Sequence, residues 1–305
     1  MSGIVPQSFS SLLVPLDGSR LAEAVLPAVE AVAVRFGARV LLMHVLEERP
    51  PATIHGEPHL MDAQEAEDYL AGVAERLRAA GATVETHVHA AREGDVPRSI
   101  VEHTEEYAPD LVVLCSHGTG GLRGLLFGGI AQQALQRMTR PILLMPSVEA
   151  PGALSFEPHR VLVPLDREHA PHESLAAAVG MAKAFGSELH LVAVAATMKT
   201  LPGERAATGV LLPSTMRAIL EMDRDETETY LHALADEARD HGITVTTEVP
   251  AGQVVPTVLE QAARVQADLI VMASHARAGL SALLSGSTAS RITARVSCPL
   301  LLVKA

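Results

Sequence analysis

Apolar and polar positions along this chain alternate between two periods, one typical of buried strands and one typical of amphipathic helices. The segment 12–16 is apolar on both faces, as the strands of a buried parallel sheet are. Apolar residues then recur at helical spacing from Leu21 to Phe36, and Gly37 follows where a C-cap belongs. Arg39 to Leu46 is predicted to be the next strand. This order of elements indicates an α/β fold.

The same order continues through the first half of the chain. With right-handed crossovers, the elements would form a doubly wound open sheet. The remaining predicted elements are, in order, a helix at 63–80, an edge strand at 83–89, a helix at 97–107, a buried strand at 111–115, a helix at 128–138 and a last strand at 142–145.

The second half of the chain repeats the first. The sequence LLVPLD at Leu12 to Asp17 recurs as VLVPLD at Val161 to Asp166. LVVLCSH at Leu111 to His117 recurs as LIVMASH at Leu269 to His275. Chance matches would not keep the same order, so we infer two copies of one module.

A period of about 150 residues is too long for a solenoid, so each copy is predicted to be a domain. The seam lies near Pro146 to Pro158, which gives the domains 1–149 and 150–305. The copies differ most at 199–221, which is longer in the second copy and carries two prolines and two glycines. We expect an extended loop with a short helix there. It is either a tolerated surface insertion or a lid over a site.

Composition excludes several classes of partner. The formal net charge is −12, which repels phosphate backbones and anionic membranes, so neither nucleic acid nor a membrane is expected as a partner. The N-terminal stretch does not resemble a signal peptide, and no apolar run is long enough for a membrane span. Cys115 and Cys298 are expected to be small buried hydrophobic residues. These features predict a cytoplasmic protein.

Open α/β sheets bind ligands beyond the carboxyl ends of their strands, where the strand order reverses. The first strand ends at Asp17, and the fourth ends at Cys115 and is followed by His117 and Gly118. If these strands are neighbours, both loops line one crevice. Asp17 would then accept hydrogen bonds from a ribose or base, or it would cap the following helix, and the two roles are compatible.

Glycines follow the fourth strand in a pattern suited to phosphate. Nine residues separate Gly118 from Gly128 and Gly129, which are predicted to begin the last helix. Glycine lets the backbone approach a ligand, and the N–H groups of a helix N-terminus attract phosphate. The second copy has Ala276 and then, after nine residues, Gly286 with Ser287 and Thr288.

This combination resembles the universal stress protein family, in which an Asp closes the first strand and a Gly-x-x-Gly, nine residues, Gly-Ser/Thr pattern follows the fourth. The resemblance covers nearly the whole chain, twice. It implies two tandem open-twisted five-stranded parallel sheets of order 3-2-1-4-5, flanked by helices, of the adenine-nucleotide α-hydrolase-like type. Family members commonly dimerise through the last strand, so an intramolecular pseudo-dimer is expected, and a homodimer of chains stays open.

The resemblance also implies the ligand, which is ATP with Mg²⁺ accompanying the nucleotide. The sequence departs from the pattern, because Cys115 replaces the first glycine in the first copy and Gly129 replaces the Ser/Thr. In the second copy, Ala273 and Ala276 replace both early glycines. The first copy is therefore the better candidate. The residues that match nucleotide-binding positions are Pro15, Leu16, Asp17, Val45, His117, Gly118, Gly128 and Gly129 in the first copy, and Asp166, Val194, His275, Gly286, Ser287 and Thr288 in the second.

The chain has fourteen histidines, which raises the question of a metal. His87 with His89, and His55 with His59, have spacings that place them close together, but no set has the spacing of a recognised closed site. We therefore expect solvated surface histidines and no metal.

Three functions stay open on the sequence alone. The first is a stress-response module that binds adenine nucleotide without dedicated catalysis. The second is a nucleotide-independent structural or interaction protein, which the departures from the motif favour. The third is a slow ATPase. A nucleophilic hydrolase is not supported, because Ser116 and His117 are adjacent and no orienting acid is identifiable.

Overall fold

The computed structural model describes residues 3–47, 52–90, 96–116, 139–146, 155–167, 172–201, 203–274, 288–293 and 295–304. The chain forms two compact units. The first-repeat unit holds Ser8–Glu157 with Ser274–Lys304, and the second-repeat unit holds Pro158–Ala273 with Met1–Gln7. The boundary predicted between residues 149 and 150 lies outside the described residues and stays a prediction.

Within the part of the chain that the structure describes, the first repeat follows the predicted order of strands and helices, with two short strands, β3 and β4, that were not predicted. The first helix begins with a short 3₁₀ turn, Ala22–Val25, and ends at Gly37, whose φ of +64° is the left-handed conformation expected of a C-cap glycine. The elements are β1 Ser11–Pro15, α1 Leu26–Phe36, β2 Arg39–Leu46, β3 Thr53–Ile54, β4 Glu57–Pro58, α2 Ala63–Ala79, β5 Thr83–Ala90, α3 Val96–Tyr107, β6 Leu111–Ser116 and β7 Ile142–Pro146.

The sheet of the first-repeat unit has the order β12-β7-β6-β1-β2-β5, where β12 is Leu300–Lys304. The five strands of the first repeat are parallel and have the expected order 3-2-1-4-5. The last strand of the second repeat, β12, runs antiparallel beside β7, with Leu301 opposite Leu143. The unit also contains the short helix α8, Thr288–Thr293, which β12 follows in sequence.

Buried strands explain why this sheet forms. Leu12, Leu13 and Val14 are at most 1% exposed, so β1 is covered on both faces, as the unbroken apolar run predicted. Phe9 packs edge-on against Phe36 of α1, with their ring centroids 5.4 Å apart.

A carboxylate in each repeat fixes the start of the first strand against the start of the fourth. Asp110 Oδ2 accepts hydrogen bonds from the Ser10 amide at 2.9 Å and from the hydroxyls of Ser10 and Ser11. Asp268 Oδ2 accepts the Arg160 amide at 2.9 Å in the corresponding place. The repeat is therefore present in tertiary structure as well as in sequence.

The second-repeat unit has a parallel sheet of order β10-β9-β8-β11, which corresponds to 3-2-1-4. Its elements are β8 Arg160–Pro164, α4 His172–Phe185, β9 Glu188–Val192, α5 Gly203–Leu211, α6 Pro213–Arg239, β10 Val245–Glu248, α7 Val254–Arg264 and β11 Leu269–Ser274.

Residues near the N-terminus of the chain pack within this second-repeat unit. The Gln7 amide donates to the Ala176 carbonyl at 2.9 Å, and the imidazole of His241 lies 2.9 Å from the Ile4 carbonyl. Gly180 of α4 lies directly under Gln7, where a Cβ would overlap the Gln7 carbonyl. The segment is thus held by backbone contacts that depend on the absence of a side chain at Gly180.

Of the extended loop with a short helix that was expected at 199–221, the short helix is confirmed and the extended loop is wrong. Helix α5 covers Gly203–Leu211, and the 27-residue helix α6 begins at Pro213. Proline suits the first turn of a helix, where its missing N–H has no intrahelical partner, so Pro213 starts a helix rather than breaking one.

The expected burial of cysteines and histidines is corrected in part. Cys115 is buried as expected, whereas Cys298 is only half-buried. Among the histidines expected on the surface, His59 is 5% exposed, and His87 and His89 are half-buried. Within the described residues, no helix has both the length and the apolar character that a membrane crossing requires.

Candidate functional site

The candidate crevice of the first repeat lies at the carboxyl end of β1, where the strand order reverses. β1 pairs with β2 on one side and with β6 on the other, so the ends of all three strands meet at one edge of the sheet. Asp17 and Cys115 come together there. Burial and the nearby Asp17 carboxylate raise the pKa of the Cys115 thiol to about 12. The structure thus brings together the end of the first strand and the end of the fourth, as the sequence predicted, whereas the turn that follows Cys115 lies outside the described residues.

Asp17 uses its two carboxylate oxygens differently. Oδ1 accepts the Ser19 amide at 2.9 Å and the Ser19 hydroxyl at 2.6 Å. The same hydroxyl accepts the Ala22 amide at 3.1 Å, so Ser19 rather than Asp17 contacts the first turn of the 3₁₀ helix. Oδ2 points to the His55 imidazole at 3.5 Å, and the Asp17 side chain is 26% exposed. One oxygen therefore fixes the turn, and the other is paired with His55, which lies between β3 and β4.

Leu16 is held by β2 through both of its backbone groups. Its amide donates to the Met43 carbonyl at 2.8 Å, and its carbonyl accepts from His44 Nδ1 at 2.8 Å. Leu16 is also 4% exposed. Pro15, which ends β1, has no N–H to donate. The Pro15–Leu16 backbone is therefore fixed against β2 at the carboxyl end of β1.

His44 is a buried residue that the sequence did not single out. It is 2% exposed, and no hydrogen-bond partner for its Nε2 occurs among the described residues. Burial lowers the pKa of His44, opposed by the hydrogen bond to the Leu16 carbonyl, so the ring is neutral at physiological pH. The position lies inside an otherwise apolar buried strand, so no periodic signal marks it.

A two-stranded hairpin, β3 and β4, packs beside the Asp17 turn. The Arg20 amide donates to Glu57 Oε2 at 2.7 Å, and the Arg20 side chain pairs with the same carboxylate. Gly18 has a φ of +89°, and a Cβ there would lie 2.9 Å from the Leu60 side chain. Both the backbone conformation and the close neighbour therefore require glycine at this turn.

Val45 is the remaining described residue of the first-repeat set. It lies in β2, is 7% exposed and pairs in register with His89 of β5. It follows His44, so it is near the carboxyl end of the strand that neighbours β1. Its predicted contact with a nucleotide stays a prediction.

Comparison with known proteins identifies the family. The sequence profile of the universal stress protein family matches residues 8–146 and again 158–304. The chain belongs to the universal stress protein family. A universal stress protein of Methanocaldococcus jannaschii is 28% identical over 147 residues, which is 48% of this chain and 81% of that protein. One of Synechocystis is 32% identical over 146 residues, covering 45% of this chain and 86% of that protein.

A solved structure supports the fold over the whole chain. The structure of a universal stress protein from Archaeoglobus fulgidus aligns with a TM-score of 0.67 at 20% identity, covering 96% of each chain. A Pseudomonas aeruginosa protein described as functionally unknown aligns with the same TM-score at 18% identity, covering 97% of this chain and 92% of that one. The α/β fold of the universal stress proteins is therefore confirmed.

The second universal stress protein repeat has a different environment at its first turn. The Leu165 amide donates to the Val192 carbonyl at 2.8 Å, as Leu16 does to Met43 in the first repeat. Asp166 lies near Tyr230 of α6, and burial together with the Asp166 charge raises the pKa of that phenol. Arg167 pairs with Asp223 at 2.6 Å and with a second acid of α6. Helix α6 therefore packs against the first turn of the second repeat, whereas the corresponding turn of the first repeat packs beside β3 and β4.

Two other residues of the second-repeat set, Val194 and Thr288, lie within the described part of the chain. Val194 is half-buried and follows β9, next to Ala195, which bridges to Ala251. Thr288 is exposed at the start of α8.

The glycine-rich part of both motifs falls outside the described residues. The predicted phosphate contacts there, and the suggested roles of both repeated histidines, stay predictions. The residues concerned are His117, Gly118, Gly128, Gly129, His275, Gly286 and Ser287.

Proposed function

We propose that this protein is a cytoplasmic stress-response protein that binds an adenine nucleotide, ATP, in the crevice of its first repeat. The observation that carries the proposal is the Oδ2 atom of Asp17. It lies at the reversal of strand order, its partner oxygen is already committed to Ser19, and the side chain is 26% exposed. A carboxylate so placed accepts hydrogen bonds from a ribose.

The surroundings of Asp17 support a pre-formed site. Ser19 is fully buried and fixes one oxygen of the carboxylate, and the Leu16 backbone is fixed by β2. A ligand that meets a fixed carboxylate does not have to order it first, which saves part of the cost of binding. Val45 supplies apolar surface near the end of the adjacent strand.

The charge of the crevice favours a nucleotide that carries Mg²⁺. Asp17 and the Glu57 carboxylate lie close to the turn, and Glu47 lies near His59 at the end of β2. Carboxylates repel bare phosphates, and Mg²⁺ is commonly held by one or two carboxylates together with phosphate oxygens. Among the described residues, these carboxylates, each of which also faces Arg20, His55 or His59, would be the ligands for Mg²⁺ bound with the nucleotide.

Calorimetric titration of the full chain with ATP and with ADP, in Mg²⁺ and in EDTA, tests the proposal. Asp17→Asn removes the charge but keeps an oxygen that accepts from Ser19, so the turn is preserved. Losing a hydrogen bond to a charged group costs about 1.5–3 kcal/mol, which corresponds to roughly 10–100-fold weaker binding. Asp166→Asn is the matched control in the second repeat and is expected to leave ATP binding unchanged.

The main alternative is a nucleotide-independent interaction protein. The buried Cys115 side chain favours it, because it occupies space beside Asp17 where the family pattern has glycine. Absence of heat with either nucleotide would support this alternative over the proposal, and unchanged ATP affinity in Asp17→Asn would overturn the proposed role of Asp17. Release of phosphate from ATP that is abolished in Asp17→Asn would instead indicate a slow ATPase.

A further inference from the structure

Three histidines converge at the edge of the first-repeat sheet, on residues that the nucleotide proposal does not use. His87 and His89 lie two residues apart in β5 and therefore share a face of the strand. Helix α3 adds His103, which is 5% exposed. One ring nitrogen from each histidine lies within 4.8 Å of the other two, and the Nε2 atoms of His87 and His103 are 3.0 Å apart.

The orientation of His103 is fixed by the helix that carries it. Its Nδ1 lies 2.8 Å from the Ser99 carbonyl, which can only accept a hydrogen bond, so Nδ1 carries the proton. In the neutral ring, Nε2 then carries the lone pair, which accepts a hydrogen bond from His87 Nε2. Metal-binding histidines characteristically donate their other N–H to a carbonyl or carboxylate in this way.

We propose that His87, His89 and His103 form a binding site for a divalent transition-metal ion, with Zn²⁺ as the probe ion. Neutral imidazole is a preferred ligand of zinc, and three histidines with water in the fourth position form a known kind of zinc site. Zn–N bonds of about 2.0–2.1 Å in a tetrahedron place the nitrogens about 3.3 Å apart. The observed distances, 3.0 Å between the His87 and His103 nitrogens and at most 4.8 Å within the set, lie on either side of that value.

Binding requires no net change of charge on the ligands. In the metal-free chain, the His87 and His103 nitrogens share one hydrogen, which His87 donates because the His103 proton is on Nδ1. When the metal binds, the His87 proton moves to its other nitrogen, and both Nε2 lone pairs are directed to the ion. Tyr107 stacks on His103, with ring centroids 5.8 Å apart and planes 18° apart, which restricts its rotation.

The second repeat shows that the fold does not need these histidines. The strand register places Glu248 of β10 where the first repeat has His87, and Pro250 follows where it has His89. Glu248 forms an ion pair with Arg264 of α7. The same seam between third strand and third helix is thus closed by an ion pair in one repeat and by three imidazoles in the other.

Calorimetric titration of the EDTA-treated, dialysed full chain with Zn²⁺ tests the proposal. We expect one tight site per chain and at least tenfold weaker binding in His89→Gln and in His103→Gln. His190→Gln, which changes a strand histidine of the second repeat, is the control and should bind zinc like the parent chain. Co²⁺ in place of Zn²⁺ should give the visible absorption of a tetrahedral site, and His89→Gln should lose it.

Two results would overturn the assignment. One is the absence of a tight zinc site in the parent chain, and the other is equal zinc affinity in the parent chain and in His89→Gln. Circular dichroism checks that each variant is folded. His103 is buried, so if His103→Gln does not fold, the half-buried His89 carries the test.

Discussion

Gly180 and Gly72 offer a paired test of how the segment near the N-terminus is held. Both glycines lie inside helices, Gly180 in α4 and Gly72 in α2. Alanine is favoured over glycine in a helix interior by about 1 kcal/mol, so helix propensity alone predicts that both substitutions stabilise. Only Gly180 has a backbone neighbour in the path of a new Cβ, because the Gln7 carbonyl lies there.

The expected magnitudes follow from these surroundings. Gly72→Ala meets no atom within 4 Å and should stabilise by up to about 1 kcal/mol. Gly180→Ala forces the backbone at Gln7 away, at a cost of about 1–3 kcal/mol for overpacking. It also breaks the hydrogen bond to Ala176, worth about 0.5–1.5 kcal/mol. After the gain in helix propensity is subtracted, we expect Gly180→Ala to lower the free energy of unfolding by about 1–3 kcal/mol.

Urea unfolding of the two variants and the parent chain measures the difference. Limited proteolysis adds a local readout, because release of Gln7 should expose the nearby backbone, including Ile4, which is 7% exposed in the folded chain. The reasoning is refuted if Gly180→Ala is as stable as Gly72→Ala and its N-terminal segment is cleaved no faster than that of the parent chain.

Two further predictions concern buried titratable groups at the crevice. Burial lowers the pKa of His44, so the unfolded chain binds that proton more strongly. The contribution of neutral, buried His44 to the free energy of unfolding is therefore fully present above the unfolded-state pKa of about 6.5. It is lost as the pH falls below that value, because protonation favours the unfolded chain. Urea unfolding at pH 7.5 and 5.5 should show a weaker pH dependence in His44→Gln, and an unchanged dependence would contradict this. For Cys115, a pKa of about 12, raised by burial and by Asp17, leaves on the order of 10³-fold less thiolate than a free thiol. Iodoacetamide should therefore modify Cys115 far more slowly than Cys298, as peptide mass spectrometry would show, and equal rates would count against it.

The sheet was predictable because its signals are local and repeated. The bounds of β2, Arg39 to Leu46, agree with the prediction because a two-sided apolar run begins directly after a C-cap glycine. The alternating pattern at 83–89 correctly indicated the edge strand β5. These features depend on neighbours in sequence, which is what a pattern records.

The insertion was mispredicted because glycine and proline have context-dependent meanings. Pro213 begins a helix, and Gly203 has a φ of +37° at the start of another. Gly209 lies inside α5, where a Cβ would be 3.1 Å from the Met198 side chain, so glycine there permits close packing. Such packing partners are not visible from sequence.

The candidate sites were only half predictable for a similar reason. Asp17 was found because it closes a repeated strand motif. His103 was missed because it lies on a different element from His87 and His89, and only the packing of α3 on the sheet brings it within reach. His55 was noted for its spacing to His59, whereas the structure places it against Asp17.

The pairing of β12 with β7 makes completion of the first-repeat sheet depend on the order of synthesis. A ribosome delivers β12 about 150 residues after β7, which takes roughly 8–30 s at 5–20 residues per second. Throughout that interval the apolar strand Ile142–Pro146 has one unpaired side, and an open strand edge is a template for association with other chains. A nascent chain stalled before Leu300 would therefore be the species that most needs a chaperone.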